Sequence, residues 1–238
     1  MKKLYEKSEI TFAILWIVLY TVGMGNLRSL GDDSPYMMAG LIVISAAMFL
    51  FVKLNGLEAR YGLDRWAADS RSMLWFIPLW IIALSNLASG ISPGYPLPGV
   101  IFAVISMALV GFAEEMIFRG FLFNAMLKDG NARTAVIVCA VSFGLGHILN
   151  IFTGHDLIPT LIQVVFAVSV GFVYTLSYYR CGSLLPCILS HSLTDVFAVL
   201  GSDDASFGFN MFMHAVVIVI CIIYSIYLAK KSGTSSDQ

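Results

Sequence analysis

Eight apolar stretches alternate with short polar connections along the chain. They run over 10–25, 36–54, 73–90, 97–128, 134–150, 157–179, 183–200 and 209–229. A helix needs about 20 apolar residues to cross a bilayer. Backbone groups in lipid must bond within their own segment, so the pattern predicts helices. The fourth stretch is longer than one crossing and should tilt or protrude. The third and fifth are short. The connections GNLRSLGDDSP and SGISPGYPLPG carry the Gly, Asp and Pro of turns, and TGHDLIP and GSDDASFG are brief. Residues 55–72 form the one sizeable polar connection. Trp66 among arginines there suggests a segment lying at the membrane interface. The expected fold class is all-α: a multi-pass transmembrane helical bundle of about eight helices.

Composition agrees. The chain has 238 residues, of which 58% are hydrophobic and 12% charged, where a soluble chain is about a quarter charged. No large soluble domain fits between the apolar stretches. Net charge is −1, with no basic patch, so no nucleic-acid partner is expected. The four cysteines form no CxxC pair and read as small buried hydrophobes. The N-terminal run is read as a retained first helix, since it shows no small-residue cleavage site and further apolar stretches follow.

Lysine and arginine set the expected orientation. With both termini inside, twelve of thirteen loop, tail and helix-end basic residues are cytoplasmic, and Arg28 is the exception. A seven-helix count would place the basic tail outside. The chain divides into helices 1–3 with the interfacial segment (1–96), a core of helices 4–7 (97–200), and the last helix with a short polar tail (201–238). That tail and the small size point to a bacterial cytoplasmic membrane. Nothing in the pattern specifies an oligomeric state.

Few ionisable residues remain within the apolar stretches. They are Glu114, Glu115 and Arg119 on helix 4, His147 on helix 5, His191 and Asp195 on helix 7, and His214 on helix 8. Such residues normally face the bundle interior and pair. Glu114 lies fourteen residues from Lys128, His147 fourteen from Arg133, and Asp195 fifteen and His191 eleven from Arg180. A rise of 1.5 Å per residue puts all four at roughly 16–23 Å from the basic end, so three helices bring them to one level. Glu115 precedes Arg119 by four residues, the favourable order for an ion pair, while Glu114 points about 100° away from Glu115 on the helix. His191 and Asp195 also share a face.

Each residue has an ordinary reading beside the functional one. Glu115–Arg119 reads first as a structural pair. Glu114 alone is as well explained as a buried protonated acid, and His147 alone as a helix-packing residue. His214, with Asn210 its only polar neighbour four residues back, reads as structural, and His155 as exposed in an outer loop. The convergence of Glu114, His147, His191 and Asp195 is what favours chemistry. Two routes stay open. A carboxylate and an imidazole can activate water while a second imidazole steadies an oxyanion. Alternatively, Glu114, His147, His191 and Asp195 can supply ligands to Zn2+. No HExxH or GxSxG occurs, and Ser190 and Ser192 only flank His191.

Three motifs carry a resemblance: E-E-x-x-x-R (Glu114, Glu115, Arg119), F-x-x-x-H (Phe143, His147) and H-x-x-x-[N/D] (His191, Asp195), within EEMIFRGFLF, SFGLGHILN and GFVYTLSYYRCGSLLPCILSHSLTD. Over about residues 97–200 the chain resembles the CAAX-processing and bacteriocin-processing intramembrane proteases, which include type II CAAX prenyl endopeptidases and abortive-infection proteins. The resemblance implies an intramembrane endopeptidase acting on a peptide or membrane-protein substrate in the lipid bilayer. Glu114 would activate water with His147, Glu115 would brace Arg119, and His191 with Asp195 would stabilise the oxyanion or complete the site. It leaves both zinc and a metal-free glutamate mechanism open. Asp195 departs from the Asn of the prenyl endopeptidases and weakens a pure donor role unless it is protonated. The competing readings are a non-proteolytic immunity or scaffold protein and a proton-coupled transporter. The absence of internal repeats speaks against the last.

Overall fold

A computed structural model describes residues 1–67, 69–153, 156–202 and 204–232. His155 and the tail beyond 232 lie outside the described residues. Helices dominate the described residues: α1 (Lys2–Lys7), α2 (Glu9–Arg28), α3 (Pro35–Leu54), α4 (Ile77–Ser85), α5 (Gly99–Glu115), α6 (Asn124–Asp129), α7 (Ala132–Gly146), α8 (Leu157–Cys181), α9 (Leu185–Leu200) and α10 (Phe207–Ser232). Local chemistry sets several ends. Ser8, Ser34 and Asn131 accept backbone N–H groups at the starts of α2, α3 and α7. Gly182 closes α8 in the left-handed conformation at φ +64°.

All eight apolar stretches are helical, but their lengths differ from expectation. Six helical runs are long and apolar enough to cross a membrane: Glu9–Arg28, Pro35–Leu54, Gly99–Lys128, Ala132–Ile151, Leu157–Cys181 and Phe207–Lys230. The fifth stretch, expected to be short, thus reaches 20 residues by continuing past His147. Leu74–Ser85 and Leu185–Leu200 fall short of a crossing. The third stretch ran past its helix because the apolar Leu87 and Ala88 sit in the turn that follows it, and the seventh began two residues before its helix, at Ser183 and Leu184.

The two short helices pack against each other and are tied together where they end. Asn86 Nδ2 donates to Thr194 O at 2.9 Å, and Ser92 N to Leu200 O at 3.0 Å. A bridge pairs Ile91 with Gly201. At its other end α9 leans on the 55–72 connection, where Leu184 N donates to Gly62 O and Ser183 Oγ to Arg65 O. That connection is a series of turns with Tyr61 fully buried and Trp66 exposed, so it is a structural support as well as a surface segment.

Gly99–Lys128 is the central rod. Of its apolar window 56% is buried, against at most 33% in the other long helices. The outward-facing side chains are apolar, including Val22, Val43, Ile158 and Ile223, as lipid contact requires. Glu9 meets both Arg60 and Lys128 at one end of the bundle.

The rod is not uniform. Residues Met116–Phe123 form a π-helical stretch, a form that recurs at functional sites. Asn124 Nδ2 supports it by donating to the carbonyls of Arg119 and Gly120 at 3.0 and 2.9 Å. Upstream, Gly111 lets α9 approach α5: a Cβ there would lie 2.4 Å from Ser192 N. Gly111→Ala should therefore force the two helices apart, lowering the thermal midpoint and turnover together. Wild-type values for both would show that the helices can slide.

Candidate active site

The rod places Glu114 and Glu115 one after the other, and their surroundings separate them. Glu115 and Arg119 have fully buried side chains, joined at 2.7 Å. Arg119 Nε also donates to Thr175 Oγ1 at 3.3 Å and Nη2 to Gly171 O at 3.2 Å. Its guanidinium lies 4.3 Å from the centre of the Phe143 ring. The i,i+4 pair expected from the sequence is thus present and enclosed.

The structure adds a contact that spacing could not reveal. Glu115 Oε1 also meets His191 Nδ1 at 2.9 Å. The same oxygen thereby links helix α9 to the guanidinium on the rod. The His191 ring stacks on Tyr174 at 5.6 Å and meets the Phe143 ring edge-on at 5.6 Å. Its other nitrogen, Nε2, faces Asp195 Oδ2 at 3.5 Å and Glu114 Oε2 at 3.8 Å. Three carboxylates from two helices therefore border one imidazole.

Glu114 is 6% exposed and opens towards a cavity of about 400 Å³ that Glu114, His147, His191 and Asp195 line together. His147 stands immediately after α7, where the helix tightens into a 3₁₀ turn. Its ring lies edge-on to Phe143 at 5.5 Å. The four residues singled out from the sequence are thus brought to one cavity. His214 is not among them; it lines a separate space between α10 and α8, with Nδ1 2.7 Å from Asn210 O and its ring against Phe166. Ser190 and Ser192 are occupied too, donating to Leu79 O and Ala108 O.

Two residues of α2 reach the site although the sequence did not place them there. Tyr20 donates its phenol to Glu114 Oε1 at 2.9 Å, and Arg28 lines the cavity. Tyr20 left no signal, being an aromatic in an apolar run. Arg28 did leave one: it was the single exception to the charge pattern.

Zinc requires its ligand atoms about 2.0–2.2 Å from one point. Among the described residues no three His, Cys, Asp or Glu side chains are grouped so as to hold one ion.

The protein is a multi-helix membrane bundle with a buried acid–imidazole cluster that opens on an internal cavity. Residues 96–197 match a family described as type II CAAX prenyl endopeptidase, Rce1-like, so this core is similar to that family. The match holds α5 to α9 and leaves α2 to α4 and α10 outside. No curated protein matches the chain.

Proposed function

We propose that the protein is an intramembrane endopeptidase in which Glu114 activates a water for attack on a peptide bond. The observation that supports this most is the unequal treatment of the two glutamates. Glu115 is neutralised by Arg119, while Glu114 meets a neutral phenol and faces the cavity. Glu114 takes a proton from water as the hydroxide adds to the scissile carbonyl carbon. The resulting tetrahedral oxyanion is met by His191 Nε2–H. When the C–N bond breaks, the leaving nitrogen takes the proton that Glu114 holds, with His147 placed to relay it.

His191 serves as a donor when both of its nitrogens are protonated, since Nδ1–H is given to Glu115. Glu114, Glu115 and Asp195 counter-charge that form, and Arg119 offsets Glu115. Asp195, in place of an amide, acts on the imidazole rather than on the oxyanion. The substrate is a membrane-associated peptide. The matching family is described as a CAAX prenyl endopeptidase, so a prenylated peptide is the first probe.

Mapping of peptide termini in membranes containing wild-type or Glu114→Ala protein tests the reading. New termini that depend on Glu114 support it; identical termini favour a scaffold role. His147→Ala and His191→Ala should behave as Glu114→Ala does, and His214→Ala as wild type. Cleavage should also survive exhaustive chelation. Loss on chelation that Zn2+ alone reverses would replace the carboxylate-activated water with a metal-bound one.

A further inference from the structure

Helix α2 lies outside the family-matched segment, yet it reaches the site. Its buried face repeats at helical spacing through Phe12, Trp16, Tyr20 and Met24. Phe12 and Trp16 pack on Phe121 of the π-helical stretch. This packing fixes the azimuth of α2 and points Tyr20 at Glu114, with the phenol oxygen 2.9 Å from Oε1. The Tyr20 ring is buried, so the contact is not a surface accident.

We propose that Tyr20 is a positioning residue for Glu114: it anchors Oε1 and thereby presents Oε2 to the cavity. The inference rests on Glu114 being the water-activating carboxylate. A glutamate without an anchor has several rotamers, and this one stands near strong donors. His191 Nε2 is 3.8 Å from Oε2, and His147 and Arg28 line the same space. A direct bond to any of them would occupy the oxygen needed for water. Held by Tyr20, Oε2 stops short of His191 Nε2 by about 1 Å relative to a hydrogen bond. A water within hydrogen-bonding distance of both fits beside that gap.

The choice of donor matters as much as its place. A phenol fixes a carboxylate without cancelling its charge, unlike the guanidinium that Glu115 receives. The two adjacent glutamates are thus given different partners by different helices: Arg119 on the rod for the structural one, Tyr20 on α2 for the reactive one.

Infrared spectroscopy of the purified full-length protein in nanodiscs tests this without a substrate. The difference between wild type and Glu114→Gln isolates the Glu114 carboxylate band, and Tyr20→Phe should shift that band. Conversely, with ring-labelled tyrosine, Glu114→Gln should shift the C–O band of Tyr20, a measurement that does not depend on Tyr20→Phe folding. On a prenylated peptide probe in proteoliposomes, Tyr20→Phe should lower kcat about tenfold, as misplacing a reacting group does, with KM within about twofold. An unmoved Glu114 band with an unchanged kcat would overturn the proposal. If Glu114→Gln turns over like wild type, the assignment of Glu114 falls, whatever Tyr20 does. If Glu114→Gln is inactive while Tyr20→Phe keeps both band and kcat, only the role of Tyr20 falls.

Discussion

Glu114→Gln is expected to reduce peptide-bond cleavage by about 10²–10⁴-fold, the usual contribution of general acid–base catalysis, while the protein melts near the wild-type temperature. The amide is nearly isosteric and its oxygen can still accept from Tyr20, so the packing around α2 survives. What is lost is an oxygen able to take a proton from water. Because Glu114 is paired with neither Arg119 nor Glu115, its replacement leaves the buried ion pair alone. Turnover and thermal midpoint measured on the same preparation decide the matter. A variant that cleaves normally removes Glu114 from the mechanism; one that is inactive but melts far lower shows a structural role instead.

Arg119→Met is expected to act first on stability. It strands a buried carboxylate, a loss of about 3–5 kcal/mol, and it vacates the donors to Gly171 and Thr175 on α8. The thermal midpoint and the yield of membrane-extracted protein should fall sharply. Adding Glu115→Leu should recover much of the stability, since replacing both members of a buried pair with apolar groups is often neutral. Turnover should not recover, because His191 then loses its Nδ1 partner. Recovery of both would reduce Glu115 to a counter-ion for Arg119.

That second experiment separates what the sequence disclosed from what it concealed. The ion pair was legible because both partners sit on one helix, where spacing dictates contact. The convergence of Glu114, His147, His191 and Asp195 was legible because helices have a fixed rise, so position along each stretch translates into depth. Contacts that depend on how helices rotate against each other were hidden: Glu115 to His191, and Tyr20 to Glu114. The π-helical stretch at Met116–Phe123 was hidden too, since its residues read as an ordinary apolar helix. The shortness of α4 was legible in its stretch, whereas that of α9 was blurred by the apolar residues that lead into it.

The shortness of α9 has a consequence for the surrounding lipid. Its 16 residues span about 24 Å at helical rise, against a hydrocarbon layer of about 30 Å. Its neighbour α4 is shorter still and turns Ile77, Ile81 and Leu84 outward. A bilayer meeting two such helices side by side must pinch inward along that flank. The headgroup region then dips towards the depth of His191 and Asp195. On that flank an apolar-anchored peptide, the substrate class proposed above, would have less hydrocarbon to cross than elsewhere around the bundle, and water a shorter path to the cavity.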